Sequence, residues 1–301
     1  MFKKIFKLIL VLVVLGLILL SLFLGAAHLQ VRSVAPELPS ESELLSLLSE
    51  SGPIKVGYIL TSSQTLARGK ISHTSIVLEW ADGRLFMIDA GMDEVAAKDF
   101  ASLLKKIDSS ASDGNTLGTV ASFLGRDIER VQGVGFTHLH IDHTQGVDVF
   151  CQSRGEGALV LQSTVQARLH NFNTTEGADI IKNSCLKLRE FNAEKLNQFD
   201  DFPGIGAFAL GGHTPGSTLW AVGFNNKVLL FSGDITNDKL SIDHNEAKPA
   251  LYSYVLVPEN VKRTAELRKW LLSLDKKERF SVIVSHDLDN TQAHLMEFKS
   301  E

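Results

Sequence analysis

Past Pro53 the chain alternates short apolar runs with longer stretches whose apolar residues recur at helical spacing, so it predicts a domain of mixed strands and helices. Strands are expected at 54–60, 74–80, 85–88, 131–136, 158–161, 219–224, 228–231 and 280–284. Helices are expected at 93–107, 116–124, 163–169 and 260–274, the last with Val261, Leu267, Trp270 and Leu271 on one face. The Pro-, Ser- and Glu-rich run Ser33 to Glu43 reads as linker, and Leu44-Leu-Ser-Leu-Leu as a short amphipathic turn of helix. The division expected is an N-terminal segment over 1–30, a linker over 31–53 and one large domain over 54–301.

A second pattern dominates the first thirty residues. Lys3, Lys4 and Lys7 precede Leu8 to Ala27, twenty residues without a charge. As helix they span about 30 Å, a bilayer core, and they exceed the roughly 7–15 apolar residues of a signal peptide. An uncleaved anchor is therefore expected, with a cleaved signal as the alternative because Gly25-Ala26-Ala27 offers small residues. Lysines before the span place the N-terminus in the cytoplasm and the domain on the periplasmic or exterior side, or in the medium if the segment is cleaved. The two cysteines, Cys151 and Cys185, are compatible with a disulfide in an oxidising compartment and equally with free thiols. A net charge of −5 and no long basic run argue against nucleic acid as a partner.

The chemistry concentrates in Thr137-His-Leu-His-Ile-Asp-His-Thr. A strand ending at this run projects His138 and His140 to one side, and the turn beyond returns Asp142 and His143 toward them. With ten histidines in the chain, a His-rich surface loop is the plain alternative, so the test is whether more donors follow later strands. His213 follows Phe208-Ala-Leu, Asp234 follows the 228–231 strand, and His286 follows 280–284. Imidazole and carboxylate suit zinc, iron or manganese, and this many donors suffice for two adjacent cations. Such a pair lowers the pKa of a shared water from near 16 to about 7, which provides a hydroxide nucleophile at neutral pH. Either Asp142 or Asp234 then serves as the group that shuttles a proton to the leaving group.

In these motifs the chain resembles the metallo-β-lactamase superfamily: a His-x-His-x-Asp-His cluster, a lone His, a bridging Asp and a final His, in order over roughly residues 54–290. The resemblance implies a four-layer αββα sandwich and two divalent metals, zinc first among them. One metal is expected on His138, His140 and His213, the other on Asp142, His143 and His286, with Asp234 bridging. Asp89, in Met87-Ile-Asp-Ala-Gly, matches the family's early acidic position and is expected to orient a ligand. His73 is read as structural or surface, with a place in the pocket lining as the alternative; Asp287 as a neighbour of the site or surface, with a metal contact as the alternative; and Asp243-His244 with Tyr252 and Tyr254 as a loop that is either substrate-facing or solvated. His28, His170 and His294 are read as background.

Departures from subfamily patterns narrow the bond that is cut. The bridging Asp234 disfavours a β-lactamase, the fifteen residues after His286 leave no room for the helical domain of glyoxalase II-like thioesterases, and His140 stands where oxygen-reducing diiron members have Glu. Inserted nuclease domains are missing. Lactonases of the family share all the ligands but use a Tyr shortly after the bridging Asp, where this chain has Ile235-Thr-Asn-Asp238. The expectation is a dinuclear metal-dependent hydrolase of ester-like bonds, a lactone or carboxylic ester first. A β-lactamase or phosphodiesterase of the cell envelope and a non-catalytic metal-binding sensor or scaffold are the alternatives.

Overall fold

In the computed structural model, which describes residues 2–67 and 69–300, the period-two alternation of each strand sorts side chains between three apolar layers. The strands are β1 (Lys55–Leu66), β2 (Gly69–Glu79), β3 (Leu85–Ile88), β4 (Asn115–Thr116), β5 (Val131–Gly135), β6 (Leu159–Ser163), β7 (Lys187–Phe191), β8 (Asn197–Gln198), β9 (Ile205–Ala209), β10 (Thr218–Phe224), β11 (Lys227–Phe231), β12 (Phe280–Ile283) and β13 (Met296–Glu297). One sheet runs β13-β1-β2-β3-β5-β6-β7 with β4 against β1, and the other runs β12-β11-β10-β9-β8.

In β3, Leu85 and Met87 enter the core beneath the outer helices while Phe86 and Ile88 enter the core between the sheets. In β11, Leu229 and Phe231 face that same central core, whereas Val228 and Leu230 face the opposite helix layer. Each sheet thus has both faces buried, and the four layers follow in the order helix, sheet, sheet, helix, as the family resemblance implies.

The helices are α1 (Phe2–Arg32), α2 (Glu41–Leu45), α3 (Glu94–Ile107), α4 (Val120–Leu124), α5 (Ile141–Thr144), α6 (Val147–Arg154), α7 (Thr164–Arg168), α8 (Thr175–Lys182), α9 (Lys239–Asp243), α10 (Val261–Asp275) and α11 (Leu288–His294). Asp93, Ser163 and Asn260, expected as first helical residues, instead cap α3, α7 and α10 by accepting main-chain N–H bonds. The helix expected from Thr116 begins only at Val120, because Thr116 pairs with β1. Along β1 and β2 the strands run well past the expected limits: Thr61 to Thr65 are polar, so an apolar-run criterion stops at Leu60 while the pairing continues. β7 escapes the pattern because Lys187 to Glu190 are all exposed.

Residues 34–53 lie against the second sheet. The Ser40–Glu43 capping box starts α2, Leu44 and Leu47 are fully enclosed beside Leu219 and Leu230, and Arg263 donates to the Pro36 carbonyl at 2.8 Å. The N-terminal helix is long and apolar enough over Lys3–Arg32 to cross a membrane, with mean hydropathy 3.2. Only its last turns meet the domain, through the buried Ala27 and Val31. A disulfide joins Cys151 in α6 to Cys185, with Cα atoms 5.5 Å apart.

One packing contact fixes the strand that leads to the histidine run. The Trp220 indole lies across Gly135, where a Cβ would stand 2.1 Å from Cζ2, and its Nε1 donates to the Phe136 carbonyl at 3.1 Å.

Candidate metal centre

β5 ends at Gly135, and the chain then needs a sharp, fixed turn to present its donors. Asp89, at the end of β3 in a left-handed conformation (φ 60°), supplies that fixture. Its carboxylate accepts the Thr137 N–H and hydroxyl, each at 2.8 Å, and the His143 Nδ1–H at 2.9 Å. The short helix α5 returns Asp142 and His143 to the same side as His138. From the second sheet, His213 arrives on the turn after β9, Asp234 follows β11, and His286 follows β12.

These side chains come together in three groups, with His73 rather than His143 beside Asp142 and His286. The donor atoms of His138, His140 and His213 lie within 4.8 Å of one another, as do those of His138, His143 and Asp234 and those of His73, Asp142 and His286. Asp234 is central: its carboxylate is 2.9 Å from His286 Nε2, 3.5 Å from His143 Nε2, and 3.9 Å from the Nε2 atoms of His138 and His213. Asp142 Oδ2 is 3.5, 3.6 and 3.7 Å from the Nε2 atoms of His286, His143 and His73.

Outer partners set the tautomers. His213 Nδ1 donates to Glu259 Oε1 at 2.6 Å, His143 Nδ1 to Asp89, and His286 Nδ1 to the Ser72 carbonyl at 2.9 Å. With Nδ1 protonated, each Nε2 lone pair faces inward, the arrangement of a metal-binding imidazole.

Five of the inner atoms lack any partner. His73 Nε2, His140 Nε2, His143 Nε2, His213 Nε2 and Asp234 Oδ1 are buried and make no hydrogen bond. Buried polar atoms left unpaired cost about 1–3 kcal/mol each, so five aimed into one volume fit divalent cations and little else.

Electrostatics point the same way. Burial, helped by neighbouring imidazoles, pushes His73 and His140 down to about 3 and His138 well below its ordinary value. Burial and then Lys248 lower His213. Burial also disfavours charge on His143 and His286, but Asp89, Asp142 and Asp234 outweigh it and both are raised. Asp142 and Asp234 are held below the usual carboxylate range by the surrounding imidazoles despite their burial. The centre combines four imidazoles held neutral, those of His73, His138, His140 and His213, with two, His143 and His286, that favour the protonated form beside ionised carboxylates.

The structure also places residues that local spacing does not reveal. His73, expected to be structural or at the surface, sits inside β2 with its ring edge-on to His286 (5.0 Å) and Phe100 (5.2 Å) and its Nε2 facing Asp142. Its strand runs on past the apolar residues, which hid its direction. Glu259 accepts from His213 and from Ser253 Oγ at 2.6 Å, while Lys248 donates to the Asp234 carbonyl at 2.8 Å and lies 4.9 Å over the Tyr252 ring. Burial and the carboxylates of Asp234, Glu259 and Asp142 push the Tyr252 phenol well above its ordinary value, whereas Tyr254 points outward. Asp287 caps α11 and accepts from Lys239 N, and His244 is exposed, so neither joins the centre.

An αββα sandwich with a buried His/Asp cluster at its strand ends defines a class of metal-dependent hydrolases. The family model of the metallo-beta-lactamase superfamily matches residues 68–280, and the chain belongs to that superfamily. No curated protein matches it. Among solved structures it is similar to an N-acyl homoserine lactone hydrolase with N-hexanoyl-L-homoserine bound at its catalytic metal centre (15% identity, 81% of this chain and 98% of that one, TM-score 0.59). It is also similar to a dizinc quorum-quenching lactonase (14%, 78% and 88%, 0.53) and to a probable metal-dependent hydrolase from Staphylococcus aureus (14%, 79% and 91%, 0.55). At these identities the likeness is one of fold.

Proposed function

We propose that the protein is a membrane-anchored dinuclear hydrolase of ester-like bonds, with a lactone or carboxylic ester as substrate. The observation that carries this reading is the position of Asp234 between two groups of inward-facing donors, among which the Nδ1 atoms of His213, His143 and His286 are tied to outer partners. His138, His140 and His213 would hold one cation, Asp142, His143 and His286 the other, and Asp234 both, with zinc as the favoured metal. Bound there, two divalent cations supply Lewis acidity, which acidifies water and stabilises negative charge developing on the substrate.

The chain's own residues do the rest. Asp142 and Asp234 are the ionised groups placed to take the proton released by water and return it to the leaving oxygen, so that ester and water give acid and alcohol. Tyr252, protonated at any working pH, donates its phenolic hydrogen to the substrate carbonyl oxygen. It takes the place of the tyrosine that family lactonases carry just after the bridging aspartate. The apolar α1 supports an uncleaved anchor, and the Cys151–Cys185 disulfide supports a domain on the oxidising, extracytoplasmic side.

The test is proton release in a pH-stat by the full-length protein in detergent, loaded with zinc or manganese, against lactones, carboxylic esters, thioesters, β-lactams and phosphodiesters. Turnover of the first two, lost in Asp234→Asn, is the expected result. Turnover of β-lactams or phosphodiesters alone would replace the substrate class, and silence with two cations bound per chain would replace catalysis with binding.

A further inference from the structure

Two loops touch α1 and adjoin elements that carry the metal centre, and both present exposed apolar side chains. The first, 170–174, leads into α8, whose Gly177 lies so close to the histidine turn that a Cβ there would stand 2.2 Å from the Leu139 carbonyl. The second, 251–256, carries Tyr252, whose ring lies against Lys248, and through Ser253 supports Glu259. Asn173 Nδ2 donates to the Leu256 carbonyl at 2.8 Å and binds the two loops together. Phe172, Leu251, Tyr254, Val255 and Leu256 are between 41% and 65% exposed, an apolar rim too concentrated for scattered surface residues.

The rim is in contact with the N-terminal helix. The Phe23 and Phe172 rings stack with centroids 4.9 Å apart, and His28 Nε2 donates to the Tyr254 carbonyl at 3.1 Å. Phe23 lies four residues inside the uncharged stretch that ends at Ala27, hence about 6 Å below its end at 1.5 Å per residue. If α1 spans a bilayer, the ring stacked on Phe23 shares that depth, which is where interfacial apolar groups reside, about 5–10 Å into the headgroup and acyl boundary.

We infer that loops 170–174 and 251–256 sit in the outer boundary of the bilayer beside α1, so that the metal centre opens onto the membrane and takes an amphiphile held there, an ester or lactone bearing a long acyl chain. This rests on the anchor and ester reading above. A lipid surface is the occupant because the rim is continuous with a helix of membrane-spanning length and touches it at two points. The arrangement delivers the bond to the cluster while the acyl chain remains against Phe172, Leu251 and Leu256.

The experiment uses the full chain in mixed phosphatidylcholine and phosphatidylglycerol vesicles, with and without acyl-chain-brominated lipid. A Phe172→Trp variant adds emission to that of the three native tryptophans, and brominated lipid is expected to remove most of the added part. The double variant Phe172→Ser with Leu256→Ser is expected to lower hydrolysis of a vesicle-embedded long-chain ester about tenfold, while a water-soluble short-chain ester with the same bond is cut at the wild-type rate. A chain that floats with the vesicles but whose added tryptophan escapes quenching overturns the inference. Failure to float removes the anchor reading and the inference with it. Quenching without hydrolysis of any ester upholds the membrane rim and refutes the ester reading, and equal loss on both esters shows that the rim serves the fold and not an embedded substrate.

Discussion

Replacing Glu259 with Gln keeps the side-chain volume and removes one charge from the group that orients His213. Glu259 Oε1 accepts His213 Nδ1–H at 2.6 Å, and its other oxygen accepts Ser253 Oγ–H at 2.6 Å. Lys248 lies 3.6 Å away. A charge-assisted bond of this kind contributes about 1.5–3 kcal/mol, roughly twice a neutral one, so the variant should lose on the order of 1–2 kcal/mol in holding His213 as a ligand. That corresponds to a roughly tenfold weaker cation at the His138–His140–His213 end, the low side of the range for outer-shell partners. Burial works to raise the Glu259 pKa, yet Lys248 and the His213 and Ser253 bonds outweigh it and bring it down from 4.5 to about 2. A depressed carboxylate contributes stability that is fully present above 4.5 and is lost as pH falls through about 2, so the effect of Glu259→Gln should be constant between pH 6 and 8. Titrating zinc against a competing chelator measures it. Binding of both cations within twofold of wild type, in a variant with an unchanged circular dichroism spectrum, would refute the assignment of Glu259 as the residue that positions His213.

Three further outcomes follow from the same geometry. His73→Ala should weaken one cation of the pair about tenfold and leave the other unchanged, because its inward Nε2 faces Asp142 and not His138; superimposable zinc isotherms would show that His73 does not support the centre. Reducing Cys151–Cys185, which are 34 residues apart, should lower stability by about 3–4 kcal/mol on the chain-entropy account, read as the difference between urea unfolding curves with and without reductant. Gly135→Ala should cost about 3 kcal/mol or more, since the new methyl group meets the Trp220 ring at 2.1 Å; an unchanged melting temperature would mean that the ring moves freely.

Much of this protein is written locally. Alternation in β3, β10 and β11 names the side chains of each apolar layer because a strand sends successive residues to opposite faces, whatever lies beyond them. The seven candidate donors were legible because the segments that carry them each follow an apolar run expected as strand, and the uncharged Leu8 to Ala27 stretch needs no fold to be recognised. Other features depend on distant segments meeting, and no local spacing encodes that. Glu259 reaches His213 across 46 positions, and the Ser72 carbonyl reaches His286 across 214. His73 turns inward because β2 continues as a polar strand, where the hydrophobic signal that reveals direction is missing. The pairing of Cys151 with Cys185, left open by sequence, is decided by the packing of α6 beside the segment that enters β7. The exposed Phe172 and Tyr254 acquire meaning only when tertiary structure sets them against the helix that precedes the domain. Sequence determined which groups are candidates for the chemistry, because residue identity and strand period are local properties. Tertiary structure decided which of those groups meet and which outer partners fix them, because both are set by long-range packing.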